Sequence, residues 1–480
     1  MSSIRQAVIY SSAARYSMKL IGLASTMLIA RLLTPDEIGT FAIASAIVMI
    51  MTEFRMLGAG GYLVREEELT ADKVRRALGL TVIISWGLGA LILLSAIPVA
   101  RFYDLEPLAG IFAILALGFF LAPYISIPTS LLSRHMEFRV QFKIRFIGSI
   151  VGFVSTIGLI LAGFSYYALA WGQTLVALLN FLMLIQLKPR DMVWKPSFRG
   201  LGEVASFGVF SSATNFLRKL KVTAPDMIIG KLGTTTQVGM FSRGLGFVEF
   251  ISQTLMMGVT PVALPYLSKT RREGGDVTQA YLRASVLLGA LVIPVLGVAS
   301  LASLPTIRLF FGLQWDAAAP IATWLAFWGM ARCVHWFAND LLLAAGRERI
   351  MLVKEALVLS TLVPGIFWAY PYGLEWIGRA FLVAGIAEVL ITTLLLRVLF
   401  QLHVTDLLRA WLGNGVLLLL CMAATWGIGL WVPFDQDQYW KPILVIALVL
   451  PWVWLAGLAL LRHPLFDELR GLAGRLRRKR

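Results

Sequence analysis

Long uncharged apolar runs constrain this chain more than any other feature. Two examples are Ala77–Ala100 and Leu412–Val432, neither of which contains Lys, Arg, Asp or Glu. At about 1.5 Å per helical residue, each run is long enough to cross a hydrocarbon core about 30 Å thick. Only helices and closed barrels satisfy the backbone within lipid, and the alternating pattern of a barrel is absent here. The sequence therefore predicts an all-α membrane protein.

The apolar segments predict about fourteen transmembrane helices. The expected spans are 11–31, 37–57, 77–100, 107–131, 146–163, 166–187, 203–230, 237–267, 284–304, 318–343, 350–370, 376–397, 411–432 and 441–461. Lys and Arg concentrate in every second connection, and we count Arg347 to Lys354 among these basic connections. Under the positive-inside rule, both termini are cytoplasmic and the number of helices is even. Prolines such as Pro123, Pro225, Pro294 and Pro364 are expected to break their helices.

A stretch near the start, Ser11–Phe41, recurs without gaps as Ser211–Phe241. The matches include Lys19 with Lys219 and a shared turn of the form T-x-x-x-[IV]-G-x-F. Because six helices separate the copies, both begin on the same side, and their symmetry axis runs along the membrane normal. We expect two parallel six-helix lobes around a central cavity. The predicted domains are an N-terminal lobe (1–187), a cytoplasmic linker (188–202), a C-terminal lobe (203–398), helices thirteen and fourteen (399–461) and a basic cytoplasmic tail (462–480).

Several ionisable residues fall within the predicted spans. Each costs at least about 2.5–3.5 kcal/mol in lipid, so it needs a partner or a wet cavity. The candidate substrate-binding cations are Lys19, Lys219, Arg218, Arg243, Arg15 and Lys221, and the candidates for ion coupling or an internal ion pair are Asp226 and Glu249. Lys221 lies on a different helical face from Lys219, and Arg15 lies near the predicted cytoplasmic surface. Since cations outnumber carboxylates, we expect a positive cavity suited to an anion.

Internal pairing is the alternative for some of these charges. Asp226 would then pair with Arg218 or Lys219, and Arg243 with Glu249. Two further sets of intramembrane charges are expected to be structural pairs: Arg332 with Asp340, and Arg379 with Glu388.

Other function classes have little support. The net charge of +16 is spread between apolar spans, which argues against a nucleic-acid partner. No ATP-binding P-loop occurs, and the four histidines show no metal-ligand spacing. Cys333 and Cys421 fall within predicted helices, where neither a disulfide nor a metal site is expected. We therefore predict no enzyme activity and no cofactor, and leave open whether H⁺ or Na⁺ is a coupling ion.

Several motifs carry a resemblance to a known family. They are A-R-L-L-T-P-D-E-I-G-T-F (30–41), L-G-A-G-G-Y-L-V-R-E-E-E-L-T (57–70), P-D-M-I-I-G-K-L-G (225–233), V-G-M-F-S-R-G (238–244), F-F-G-L-Q-W-D-A-A-A-P-I (310–321) and A-A-G-R-E-R-I (344–350). With them, the sequence resembles the polysaccharide transporter (oligosaccharide flippase, lipopolysaccharide biosynthesis protein) family of the multidrug/oligosaccharidyl-lipid/polysaccharide exporter superfamily. The resemblance covers helices one to eleven.

This resemblance implies a two-lobe flippase of the bacterial inner membrane that works by alternating access. Its substrate would be an undecaprenyl-pyrophosphate-linked oligosaccharide, with cavity cations meeting the pyrophosphate. Membrane lipids, a polysaccharide polymerase and glycosyltransferases of the same pathway would be its partners. Asp226 and Arg243 fall on family motif positions, whereas Lys19, Lys219 and Arg218 rest on the repeat and the helical phase. In this chain Ala224-Pro225 precedes Asp226, which departs from the family pattern.

Two other functions stay open at this point. One is a cation-coupled multidrug or small-molecule exporter of the same superfamily, although a cavity for cationic drugs would be acidic. The other is a membrane polymerase or glycosyltransferase, against which the short loops argue.

Overall fold

The structure is a computed structural model that describes residues 2–55, 59–202, 209–257, 260–435 and 438–477, with side chains described at 17–55, 59–202, 213–257, 263–435 and 438–471. Almost all of the described residues are α-helical. The first helices are α1 (Ser2–Leu32), α2 (Pro35–Arg55), α3 (Ala59–Arg65), α4 (Ala71–Tyr103), α5 (Pro107–Leu121), α6 (Pro123–Arg134), α7 (Phe138–Leu161) and α8 (Tyr167–Leu187). The next are α9 (Val209–Leu232), α10 (Thr235–Met256), α11 (Thr260–Arg272), α12 (Val277–Leu301), α13 (Ser303–Phe311), α14 (Ala318–Val334), α15 (Ala338–Ala344), α16 (Glu348–Ala369) and α17 (Leu374–Phe400). The last are α18 (Val404–Trp431), α19 (Trp440–Leu460) and α20 (Pro464–Arg477).

The chain divides into two compact units, Met1–Gly239 and Met240–Arg480. In the first unit, α9 packs along α2, and α1 packs along α7. In the second unit, α14 packs between α12 and α17, and α18 packs against α12. The predicted lobes, 1–187 and 203–398, follow the sequence repeat and stay a prediction.

Nine helices of the described chain are long and apolar enough to cross a membrane, and the bent pair α5–α6 would be a tenth if its two helices form one span. These include α4, α7, α8, α12 and α16 to α19. The helices outside this set include α1 and α9, which carry the predicted intramembrane charges, and α14, which has only 17 residues. The chain is thus a multi-pass membrane protein, and the count of about fourteen spans stays a prediction.

The shared turn of the repeat builds the same helix start twice. The Thr34 backbone N–H donates to Glu37 Oε2 (2.7 Å), and the Glu37 N–H donates back to Thr34 Oγ1 (3.3 Å). In the second copy, the Thr234 N–H donates to Gln237 Oε1 (3.1 Å), and the Gln237 N–H donates to Thr234 Oγ1 (3.2 Å). Both are capping boxes, which satisfy backbone donors at a helix N-terminus. The threonine that begins both copies of the turn therefore has the same local role in each.

Prolines interrupt fewer helices than the sequence suggested. The prediction was right at Pro123, where α5 and α6 meet at an angle of 45°. It was wrong at Pro225, Pro294 and Pro364, which lie inside the continuous helices α9, α12 and α16. A proline removes one backbone donor, and helices in membrane proteins tolerate this loss without ending.

Contacts between loops follow the alternation of the basic connections. In the first unit, Arg134 Nη1 donates to the Leu63 carbonyl (2.8 Å), and the Ser197 N–H donates to the Arg75 carbonyl (2.8 Å). In the second unit, Arg283 pairs with Glu468 (2.8 Å). Each of these contacts joins two loops that the sequence places on the basic side.

The opposite loops also contact one another. Lys231 lies 3.6 Å from Asp104 in the first unit, and Arg308 Nη1 donates to the Asp435 carbonyl (3.1 Å) in the second. Both contacts join loops predicted on the exported side. Each of these contacts joins loops of one predicted side, and the order of crossings stays a prediction. Which side is cytoplasmic stays a prediction of the charge rule.

Candidate functional site

The first predicted cation, Lys19, lies half-buried near the middle of α1. Gly22 lies one turn further along, and a Cβ placed there would meet no atom within 4 Å among the described residues. The Thr26 hydroxyl donates a hydrogen bond to the Gly22 carbonyl (2.9 Å), as expected for a threonine in an apolar helix. The helical repeat places Lys19, Gly22 and Thr26 on one face of α1, and this face is open beside Gly22. The side chain of Arg15 lies outside the described residues.

The second lysine, Lys219, is half-buried on α9, and Arg218 beside it is exposed. Lys221 is only 6% exposed, which agrees with its separate helical face and makes it the least accessible of these cations. The position of α9 is fixed by α2: the Phe54 and Phe216 rings are 4.8 Å apart between centroids. This ring contact therefore holds the part of α9 that carries Lys219 against α2.

Asp226 is the carboxylate of α9. The carboxylate oxygen Oδ1 of Asp226 is shielded from solvent and has no hydrogen-bond partner among the described residues. Neither Arg218 nor Lys219 forms an ion pair with Asp226 in the described part of the chain. The alternative in which these cations neutralise Asp226 thus finds no support. A shielded, unbonded carboxylate oxygen is costly and suits a site that takes a proton or a cation.

In the second unit, Arg243 of α10 lies against two aromatic rings. Its guanidinium carbon is 5.4 Å from the Phe311 ring centroid and 5.2 Å from that of Trp315. Both rings are buried, and the Arg243 Nε is shielded without a hydrogen-bond partner among the described residues. The structure thus brings together two of the sequence motifs, V-G-M-F-S-R-G and F-F-G-L-Q-W-D. The aromatic faces stabilise the charge and fix the direction of the guanidinium.

Glu249 forms an ion pair that the sequence did not predict. Its partner is Arg332 of α14 (2.5 Å), and Gln253 Nε2 also donates to Glu249 (3.2 Å). The expected partner of Arg332, Asp340, was therefore wrong. Arg332 also lies over the Trp328 ring at 4.4 Å. Glu249 has the role of an internal ion pair, one of the two roles that the sequence left open.

A buried polar cluster beside this pair was missed. Lys354 is 3% exposed and lies 3.0 Å from Glu355 and 3.9 Å from Glu388. Counting Lys354 as a loop cation was therefore wrong, because it lies inside α16. Glu388 takes Lys354 as partner, and Arg379 pairs with Glu375 instead (2.7 Å). The adjacent Lys and Glu within an apolar run were the available signal.

His335 completes this cluster. Its Nδ1 is 2.7 Å from the Tyr281 hydroxyl, and its Nε2 is 2.8 Å from the Thr393 hydroxyl. Both ring nitrogens are thus engaged by neutral partners from α12 and α17. This pattern rigidifies the second unit, because buried polar groups that are satisfied resist displacement.

The site residues therefore fall into two described sets. Lys19, Arg218, Lys219, Lys221 and Asp226 belong to the first unit, and Arg243 and Glu249 belong to the second. Within the first set, the accessible groups are cationic. Their role toward a substrate stays a prediction.

Comparisons with known proteins indicate the family of this chain. The chain matches the polysaccharide biosynthesis protein family over residues 28–320, which is more than half of its length. It is similar to the teichuronic acid biosynthesis protein TuaB of Bacillus subtilis (strain 168), with 24% identity over 329 residues, 66% of this chain and 66% of TuaB. It is also similar to the succinoglycan biosynthesis transport protein ExoT of Rhizobium meliloti (strain 1021), with 24% identity over 304 residues, 62% of this chain and 60% of ExoT. The matched parts thus span slightly less than two thirds of these two relatives.

Solved structures show the fold. The inward closed conformation of the lipid II flippase MurJ matches with a TM-score of 0.73 and 16% identity, over 94% of this chain and 98% of MurJ. An inward-facing multidrug resistance transporter of the MATE family matches with a TM-score of 0.65 and 13% identity, over 82% of this chain and 96% of that transporter. At 16% and 13% identity, these neighbours show that the chain has the fold shared by this flippase and this transporter. On these grounds, the chain belongs to the polysaccharide biosynthesis protein family.

Proposed function

We propose that this protein is a flippase that moves a lipid-linked oligosaccharide across the bacterial inner membrane for surface polysaccharide biosynthesis. The substrate we propose is an oligosaccharide on undecaprenyl pyrophosphate, and the mechanism is alternating access. Support comes from the family match, from the relatives in polysaccharide biosynthesis and from the MurJ-like fold. The observation that carries the proposal is the pair of half-buried lysines, Lys19 and Lys219, at equivalent positions of the repeat.

The positive charge of Lys19 and Lys219 suits a pyrophosphate. A cation at membrane depth attracts an anion strongly, because the surroundings screen charge less than bulk water does. Arg218 is exposed beside Lys219 and adds to the positive charge. In the proposed cycle, these groups hold the pyrophosphate while the access changes from one leaflet to the other.

The lysine pair is tested in cells that depend on this protein for surface polysaccharide. The double variant Lys19→Ala, Lys219→Ala is expected to abolish the polymer while the protein remains inserted in the membrane. Lys19→Arg with Lys219→Arg keeps both charges and is expected to restore most of the polymer. Lys195→Ala removes a cation from the exposed linker and serves as the matched control. Normal polymer in the double alanine variant would refute the assignment of these lysines to the substrate.

The main alternative is a cation-coupled multidrug or small-molecule exporter, which the MATE neighbour represents. It predicts that loss of the protein raises drug sensitivity and leaves the surface polymer intact. The described cations of the first unit argue against cationic drugs as substrates.

Coupling to H⁺ or Na⁺ is part of the proposal. We assign it to Asp226 in preference to Glu249, because Glu249 is already held by Arg332. Asp226→Asn is expected to abolish any dependence of transport on a H⁺ or Na⁺ gradient while the protein folds. Unchanged gradient dependence in this variant would remove Asp226 from the coupling step.

A further inference from the structure

A cavity of about 460 Å³ opens at the C-terminal ends of α11 and α15. Ser268, Arg271, Arg272 and Ala344 line it. This volume lies in the range of about 300–1,000 Å³ that is typical of small-ligand sites. Both helix ends precede connections that the sequence places on the basic side. None of the lining residues belongs to the predicted set of cavity cations.

The two arginines of this cavity have different surroundings. Arg271 Nη1 donates a hydrogen bond to the Ala344 carbonyl at the end of α15. This contact holds one end of the guanidinium, and the other N–H groups of the five remain as donors. Arg272 has no hydrogen-bond or ion-pair partner among the described residues. Ser268 adds a hydroxyl to the same wall.

The nearby acidic residue does not cancel this charge. Glu273 follows Arg272 in the chain, but its carboxylate lies 3.7 Å from the Lys269 amine. Lys269 does not line the cavity. The positive charge of the two arginines is therefore concentrated on one concave surface. The planar fork of an arginine matches the oxygens of a phosphate, and it forms paired, charge-assisted hydrogen bonds.

We propose that this cavity binds a phosphate or pyrophosphate group. The lipid-borne pyrophosphate of the substrate is the source we favour, and this choice rests on the proposed function. A free phosphate compound of the cytoplasm has the same chemistry. In either case, Arg271 and Arg272 are the binding residues, and the site lies apart from Lys19 and Lys219 in the chain.

The test is binding to the purified full-length protein in nanodiscs of phosphatidylcholine. The two probes are inorganic pyrophosphate and farnesyl pyrophosphate, with affinity measured by calorimetry. Arg272→Gln is expected to weaken pyrophosphate binding by about tenfold, as the loss of a charge-assisted hydrogen bond does. Arg271→Gln is expected to act similarly. Lys269→Gln makes the same change of charge on the same helix, outside the cavity, and is expected to change affinity by less than about twofold.

Arg272→Gln breaks no described contact, so it tests binding even if Arg271→Gln loosens the two helices. A thermal unfolding curve for each variant identifies such loosening. If farnesyl pyrophosphate binds tighter than inorganic pyrophosphate, and Arg272→Gln removes this difference, a lipid-borne ligand is supported. If the wild type binds both probes with equal affinity and Arg272→Gln loses this binding, a free phosphate ligand is supported. Absence of binding by the wild type, or equal losses in Lys269→Gln and Arg272→Gln, would overturn the proposal.

These outcomes are separable from those of the proposed function, because binding does not require transport. If the protein binds pyrophosphate here but supports no surface polymer, the proposed binding site stands and the proposed flippase function is refuted. If the protein supports surface polymer but binds neither probe, the proposed flippase function stands and the proposed binding site is refuted.

Discussion

Gly39 and Gly239 lie at a contact that is too close for a side chain on either residue. A Cβ on Gly39 would overlap the carbonyl group of Thr235, and a Cβ on Gly239 would overlap the carbonyl oxygen of Pro35. Thr235 and Pro35 occupy equivalent positions of the repeat, so each copy contacts the other in the same way. This reciprocity is the property of a local two-fold axis. The glycine that both turns share thus permits the two turns to meet.

Substitution of either glycine is expected to separate these turns. Gly39→Ala and Gly239→Ala each place a methyl group on backbone atoms, which cannot rotate away. Overpacking of this kind costs about 1–3 kcal/mol, and the thermal unfolding temperature should fall. Gly22→Ala is the control, because that site is open and alanine favours a helix. Unfolding temperatures that fall equally in Gly22→Ala and Gly39→Ala would contradict the close contact.

The two capping boxes are expected to contribute equally to stability. Thr34→Ala and Thr234→Ala each remove an N-cap acceptor and should lower the free energy of unfolding by about 0.5–2 kcal/mol. Thermal unfolding of the two single variants measures this. Thr→Ser at each position keeps the hydroxyl and should lose much less. A loss in Thr34→Ala without one in Thr234→Ala would show that only the first box is effective.

The ion pair between Glu249 and Arg332 should be sensitive to removal of one partner. Both side chains are mostly buried, with 16% and 17% exposure. Glu249→Gln leaves Arg332 without its counter-charge and is expected to cost about 3–5 kcal/mol. The double variant Glu249→Gln, Arg332→Gln should recover part of this loss. Glu273→Gln, in the exposed pair with Lys269, is expected to cost no more than about 1 kcal/mol.

Equal losses of stability in Glu249→Gln and Glu273→Gln would contradict the burial of the pair between Glu249 and Arg332. If the double variant is no more stable than Glu249→Gln, an unpaired Arg332 does not destabilise the protein, and its charge does not need Glu249. Chemical or thermal unfolding in one detergent provides all of these comparisons.

Glu66 should make stability depend on pH in the acid range. It lies outside the predicted spans, and the hydrogen bond from Lys73 (2.6 Å) lowers the pKa of its carboxyl from the usual value of 4.5. Because the folded pKa is lowered, the stabilisation is fully present above the unfolded pKa. It is lost as the pH falls through the lowered value.

Unfolding temperatures of the wild type and Glu66→Gln, measured from pH 7 to pH 3, test this linkage. We expect the wild type to be more stable at neutral pH and the difference to shrink toward the acid end. Glu67→Gln, next in the chain, is the control. A constant difference across this range would show that Glu66 does not act through its charge.

Some predictions were correct because they depend on local properties of the chain. The apolar runs became helices such as α4 and α18, since transfer into lipid and internal hydrogen bonding act on each segment separately. The turn of the repeat was recognised because the same residues recur 200 positions later, and the structure shows a capping box in both copies. The alternation of basic loops stays a prediction, since the structure does not show which loops share a side of the membrane.

The errors concern the partners of single charges. Arg332 was assigned to Asp340, whereas the structure pairs it with Glu249 of another helix. Arg379 was assigned to Glu388, whereas it pairs with Glu375, four residues earlier on the same helix. Lys354 was placed in a loop because a charged residue near a predicted span end resembles a loop residue. In the structure, a carboxylate from the same helix and one from α17 accompany it.

The sequence by itself thus determined the membrane class and the repeat of Ser11–Phe41 as Ser211–Phe241. The membrane class follows from the free energy of placing each residue in lipid or in water, which depends little on distant parts of the chain. The tertiary structure alone decided that Arg332 pairs with Glu249, that Arg243 lies on Phe311 and Trp315, and that the backbones of Gly39 and Gly239 meet. The physical reason is that these contacts depend on distances between helices that packing sets, and no spacing along one helix encodes them.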